Sequence, residues 1–137
     1  MGGGLSAAYR IASQAGSVWA SSDSEIGSIG TYWQMLDVSK AYADAGIRSV
    51  LLTTGPFKGV GAAGEAITAD QEAFLQSKVN EWNARFLADV ASGRSMSEES
   101  VAAVADGRWW SAADAVGLGL VDQIGSMDDV QIGRAHV

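Results

Sequence analysis

The 137-residue sequence contains no cysteine, a single histidine and a single proline. Without thiols there is no disulfide, no iron–sulfur cluster, no thiolate zinc site and no cysteine nucleophile. The one histidine, His136, stands next to the last residue, which all but removes a Ser-His-Asp triad and histidine-based metal sites. No cofactor is expected. No apolar run approaches the roughly 20 residues that a membrane-spanning helix needs, and no charged-then-apolar leader opens the chain. Positive charge is scarce: nine Lys and Arg face sixteen Asp and Glu, for a formal charge of −7. The basic residues are scattered singly, without the cationic stripe that phosphate contacts require, so nucleic acid is not an expected partner.

What remains suits one domain, or part of one, with a real core: 47% of the residues are apolar. Ser6 to Ala15 is compatible with a helix closed by Gly16, and Ser17 to Ala20 with a short strand. Ile26 to Trp33 reads as an extended stretch broken by Gly27 and Gly30. Asp37 can cap a helix ending at Gly46, and Ile47 to Thr53 has the composition of a buried strand. A glycine-rich loop, Gly55 to Gly64, holds the only proline. Thr68-Ala69-Asp70-Gln71 forms a capping box, after which Leu75, Val79, Trp82, Phe86 and Val90 recur at helical spacing. The long helix they predict ends near Gly93. Short helices are expected after Ser97 and Ser111, then a strand or extended tail over Leu118 to Asp122. Strands alternating with helices predict an α/β fold.

By elimination the chemistry left is a hydroxyl activated by an amine. The carboxylates Asp37, Asp44, Asp70, Glu72, Asp89, Glu98 and Glu99 fall at caps or on polar helix faces. Neither Gly27-Ser28-Ile29-Gly30 nor the Gly55–Gly64 loop fits a phosphate-binding fingerprint. A serine alcohol needs a base, and a neutral lysine serves if its ammonium pKa is lowered by desolvation or a nearby cation. Of the three lysines, Lys40 and Lys78 belong to polar helix faces. Lys58 sits among glycines with no acidic neighbour before Glu65, a setting that can bury an amine unpaired. Loop lysines are also commonly just solvated, and a serine at a helix start such as Ser6 is commonly an N-cap. The same position offers backbone N–H groups and a helix dipole to a developing oxyanion. The residues alone leave these readings open.

Three segments resemble the signal peptide peptidase A (S49) family. Ser6-Ala7-Ala8-Tyr9-Arg10-Ile11-Ala12-Ser13 is similar to its nucleophile motif, Gly27-Ser28-Ile29-Gly30 to its second signature, and Phe57-Lys58 in a glycine-rich loop to the segment bearing its lysine. The offsets, 22 (28 − 6) and 52 (58 − 6), agree with the family. Asp106-Gly107-Arg108 and the run Ser111 to Asp122 also fit, as they would in Clp-type proteases and enoyl-CoA hydratases. The resemblance implies a Clp/crotonase-like α/β spiral of β-β-α units and hydrolysis of peptides through an acyl-enzyme. It assigns Ser6 as nucleophile, Lys58 as general base, Ser28 as the hydroxyl that orients Lys58, and the Ala7 N–H as an oxyanion donor. Ser-Ala-Ala stands where the family more often has Ser-Gly-Gly.

Expected partners are a peptide or unfolded protein, either spent signal peptides or phage scaffold, and further copies of the full-length parent in a homo-oligomer. The matching location is a bacterial membrane, through an upstream anchor, or a phage prohead in the cytoplasm. A crotonase-type acyl-CoA enzyme and a non-catalytic assembly module are the alternatives on the same fold. Residues 1–130 are expected to be the C-terminal part of a peptidase domain, poorly active alone for want of upstream strands. Tyr9 and Trp19 are expected on a surface left uncovered. Ile132 to Val137 matches one reading frame of a common sequencing adapter, so 131–137 is expected to be a non-native tail in which His136 serves no site.

Overall fold

The computed structural model describes the chain from Gly3 to Arg134, with side chains through Val130. Its elements run β1 (Gly3–Leu5), α1 (Ala7–Ala12), β2 (Trp19–Ala20), β3 (Glu25–Gly27), α2 (Ser39–Asp44), α3 (Ala69–Arg94), α4 (Glu98–Val104), β4 (Trp109–Ser111), α5 (Ala112–Gly117), β5 (Gln123–Ile124) and α6 (Met127–Arg134). The architecture is mixed α/β. The chain divides into two compact units, one built from residues before 32 and after 81, the other from 32–81.

The first unit carries every described strand. β1 pairs parallel with β3, and β3 pairs antiparallel with β4; separately, β2 pairs parallel with β5. Its core gathers Tyr9, Val18, Ile26, Ile29, Phe86, Val90, Val101, Val104, Ala112, Ala115, Leu120 and Val121. Serine hydroxyls start three of its helices: Ser97 accepts from the Ser100 N–H at 3.1 Å, Ser111 from the Asp114 N–H at 3.2 Å and Ser126 from the Asp129 N–H at 3.3 Å, each satisfying an orphan donor of the first turn. Gly93 lies so close to α1 that an added Cβ would stand 2.1 Å from the Ser13 carbonyl oxygen. Here a side chain is excluded by contact alone. Tyr9 is fully buried, which corrects the expectation of an uncovered Tyr9 surface: its ring points into the core and its hydroxyl finds a buried partner.

The second unit holds α2 and the start of α3. The capping box forms as its sequence predicts: the Thr68 N–H donates to Gln71 Oε1 at 3.1 Å, and the Gln71 N–H to Thr68 Oγ1 at 3.3 Å. Asp37 Oδ1 accepts from the Ser39 N–H and Oδ2 from the Ile67 N–H, tying α2 to the approach to α3. Residues 47–53 form no strand, contrary to their composition, and Ile47, Val50, Leu51 and Leu52 are exposed, Leu52 to 90%. A strand needs a neighbour to satisfy its backbone, and no described segment of this unit supplies a ladder. The apolar face of α3 is buried only at Phe86 and Val90; Trp82 stays 40% exposed.

α6 extends through Ile132 to Arg134. Met1, Gly2 and Ala135 to Val137, His136 included, lie outside the described residues.

Candidate active site

Ser6 occupies the turn between β1 and α1. Four helices of the first unit follow a serine, and Ser6 differs from the other three. Ser97 (φ −69°, ψ 154°) and Ser111 (φ −61°, ψ 158°) are extended and spend their hydroxyls on capping. Ser6 has φ 53°, ψ −123° and makes no side-chain capping bond. A non-glycine residue at such angles costs on the order of 1–3 kcal/mol and persists only where its surroundings over-determine it. The effect is to turn the chain sharply from strand to helix and leave an exposed serine at the corner. Ser6 therefore does not serve as an N-cap.

The corner is held from several sides. The Ser6 N–H donates to the Gly27 carbonyl at 2.8 Å, and the Ser6 carbonyl accepts from the Arg10 N–H at 3.0 Å. The Tyr9 hydroxyl donates to the Leu120 carbonyl at 2.8 Å. Arg10 pairs with Asp89, Nε to Oδ2 at 2.6 Å. As the first helical residue, Ala7 presents an N–H that no helical carbonyl can accept, beside the serine.

Ser28 follows β3 with φ 49°, and its N–H donates to the Arg108 carbonyl at 2.8 Å. The residue before it must be small: Gly27 has φ 118°, and a Cβ there would meet Trp110 Cδ1 at 3.1 Å and the Arg108 carbonyl oxygen at 3.2 Å. Ser28 is half-buried. The structure thus sets Ser6, Ala7 and Ser28 within one unit, at the β1–α1 turn, the start of α1 and just after β3.

Lys58 belongs to the second unit. It is exposed, in place of the buried amine that its glycine-rich setting suggested. It lines an open groove of about 510 Å³ with Leu51, Leu52, Thr53, Thr54 and Gly59. Its loop is knotted by Thr53, whose Oγ1 donates to the Lys58 carbonyl at 2.9 Å, and the Lys58 N–H donates to Gly55 O at 3.0 Å. Lys40 and Lys78 are engaged with Asp44 and Glu81 at 2.8 and 2.9 Å, as their helix faces predict.

Sequence reasoning gave no role to a clamp within the first unit, between Arg94 and Asp122. Arg94, its side chain 7% exposed, donates from Nη1 to Asp122 Oδ2 at 2.9 Å, from Nη2 to Oδ1 at 2.5 Å, and from Nε to the Gly119 carbonyl at 3.0 Å. Asp122 Oδ2 also accepts from the Val18 N–H at 2.6 Å. The Arg94 hydrogen bonds hold the Asp122 carboxyl below the usual carboxylate range, helped by the Val18 N–H. The same pairing raises the Arg94 pKa. Burial pushes the Tyr9 phenol up to about 12. The only sequence signal was the Leu118–Asp122 run, legible as a motif but not as a clamp. Among the described residues no group of three or more His, Asp or Glu could hold a metal ion. No helix among them is long and apolar enough to cross a membrane.

Comparison with known proteins finds relatives named as proteases. A protein of Methanocaldococcus jannaschii named as a protease is 30% identical over 124 residues, covering 90% of this chain and 40% of that one. Protease 4 of Salmonella typhi is 29% identical over 137 residues, 98% of this chain and 22% of that protein. An Enterococcus faecium protein named as a signal peptide peptidase is 30% identical, covering 90% of this chain and 36% of its own length. The chain therefore spans two fifths or less of these relatives. The family profile of peptidase family S49 matches residues 2–135, and the chain belongs to that family.

Proposed function

We propose that this chain is the C-terminal part of a serine peptidase domain of Clp/crotonase type, in which Ser6 attacks and Lys58 is the general base. The observation that carries the reading is the turn at Ser6: φ 53°, no capping bond, and a hydroxyl left at an exposed strand-to-helix corner. Such a strained corner presents a nucleophile at the edge of a sheet and beside helix N–H groups.

In the proposed reaction, Ser6 Oγ adds to the carbonyl carbon of a peptide bond and its proton passes to the neutral Lys58 amine. The negative charge that develops on the carbonyl oxygen is met by the Ala7 N–H. Collapse of the adduct expels the amine half of the substrate, which takes the proton back from Lys58, and leaves an acyl-serine ester. Water, deprotonated by Lys58, then hydrolyses the ester. Ser28 orients the amine. A working base must be neutral near the operating pH, so the exposed Lys58 needs a cover. A further segment of a longer chain, or a second copy in a homo-oligomer, would supply it over Leu51 and Leu52. The substrates are unfolded peptides, either signal-peptide remnants or phage scaffold.

The test is labelling by a fluorophosphonate, read by intact mass, together with cleavage of an unfolded protein by the full-length protein that carries this chain. Ser6→Ala abolishes both, Lys58→Ala lowers both by about 10²-fold or more, and the wild-type rate rises as pH increases above neutral. Labelling that survives Ser6→Ala, or a rate maximum at pH about 5, refutes the assignment. Turnover of an enoyl-CoA without proteolysis moves the protein to the crotonase chemistry of the same fold.

A further inference from the structure

Resting on that reading, we propose that Tyr9 is a positioning residue for Ser6: its buried hydroxyl, anchored on the Leu120 carbonyl, fixes the first turn of α1 and with it the strained geometry of the nucleophile.

Three observations lead here. α1 has six residues and no capping bond at its start. A helix that short does not persist by itself, so its place is set by what grips it. Tyr9 is its only buried residue, and it lies three positions after Ser6, one turn along the helix. Its hydroxyl bond to Leu120 is fully buried at 2.8 Å. A second side-chain grip, Arg10 on Asp89, is about 40% exposed at both side chains and is correspondingly weak.

The acceptor is itself tied into a set of hydrogen bonds. The Leu120 N–H donates to Ala115 O at 2.9 Å, the Asp122 N–H to Val18 O at 2.8 Å, and Arg94 spans Gly119 and Asp122. Tyr9 therefore transfers the rigidity of the Leu118–Asp122 segment to the serine corner. The Ser6 backbone can stay at φ 53° only while the helix behind it cannot recede.

The experiment compares wild type, Tyr9→Phe, Arg94→Lys and Ser6→Ala in the full-length protein, well below each melting temperature. Tyr9→Phe keeps the ring and loses the anchor. Its kcat and its fluorophosphonate labelling rate fall by about 10- to 100-fold, while KM stays within about twofold. Arg94→Lys keeps the charge but releases the two-pronged hold on Asp122 and Gly119. It gives the same kcat-selective loss and serves if Tyr9→Phe does not fold. Wild-type kcat and labelling in a folded Tyr9→Phe, whatever its melting temperature, overturn the proposal and reduce Tyr9 to a core residue. Retained cleavage by Ser6→Ala instead removes the nucleophile assignment, a separate failure.

Discussion

Ser6 and Ser28 leave neighbouring parallel strands at matching ladder positions. The register of β1 on β3 is Gly3↔Glu25, Gly4↔Ile26 and Leu5↔Gly27, and one more step would set Ser6 against Ser28. Both have positive φ, 53° and 49°, and each N–H is held by a carbonyl at 2.8 Å, Ser6 by Gly27 and Ser28 by Arg108. The 22-residue offset between the two serine motifs is thus the offset of the ladder itself (25 − 3). It leaves little freedom for one serine to move without the other.

If Ser28 orients the base, its hydroxyl matters and its backbone only permits it. Ser28→Gly suits φ 49° and keeps the fold. It lowers kcat about tenfold or more, and Ser28→Ala lowers it at least as far. Full activity in the folded Ser28→Gly variant would leave Ser28 a purely structural role.

The close approach of α3 to α1 gives a prediction about stability. Gly93→Ala drives a methyl group against the Ser13 carbonyl, 2.1 Å from the ideal Cβ position. Despite the better helix propensity of alanine, the variant should lose about 1–3 kcal/mol, measured by denaturant unfolding. An unchanged midpoint would mean that α1 shifts freely, which would also weaken the case for a fixed serine corner.

Two groups give the fold a pH signature. The Tyr9 pKa rises from 10.0 to about 12 on folding, so the native state keeps a proton that the unfolded chain loses first. The Tyr9 contribution, on the order of 2 kcal/mol, is complete below pH about 10 and disappears as pH rises to about 12. Asp122 is shifted the other way by Arg94. Its contribution is complete above the unfolded value near pH 3.9 and is lost as pH falls through the lower folded value. Melting temperature against pH should therefore lose part of its alkaline limb in Tyr9→Phe and part of its acid limb in Asp122→Asn. Parallel curves for wild type and variant would contradict the corresponding shift.

Helix starts were the most legible part of the sequence, because a cap is written in adjacent residues: Thr68 with Gln71, Ser97 with Ser100, and Ser111 with Asp114 bond as their spacing predicts. The strand expected over 47–53 fails because β-branched composition records a preference for a pleated, half-buried surface, not the existence of a partner. Gly3–Leu5 and Trp109–Ser111 are strands for the converse reason: both pair with Glu25–Gly27, and neither carries a local signal. At the site, Ser6 was ambiguous from sequence since a cap and a nucleophile share a position; its backbone angles and missing capping bond set the cap aside. The grip of Tyr9 on Leu120 and of Arg94 on Asp122 joins residues 111 and 28 positions apart, beyond the reach of any local pattern.

That long separation also sets a schedule for biosynthesis. The hydroxyl of Tyr9 has no acceptor until Leu120, 111 residues later, has been added to the nascent chain. At about 5–20 residues per second, the serine corner waits roughly 5–22 s for its anchor while most of the chain emerges. The strained turn at Ser6 therefore gains its buried anchor long after its own residues have emerged.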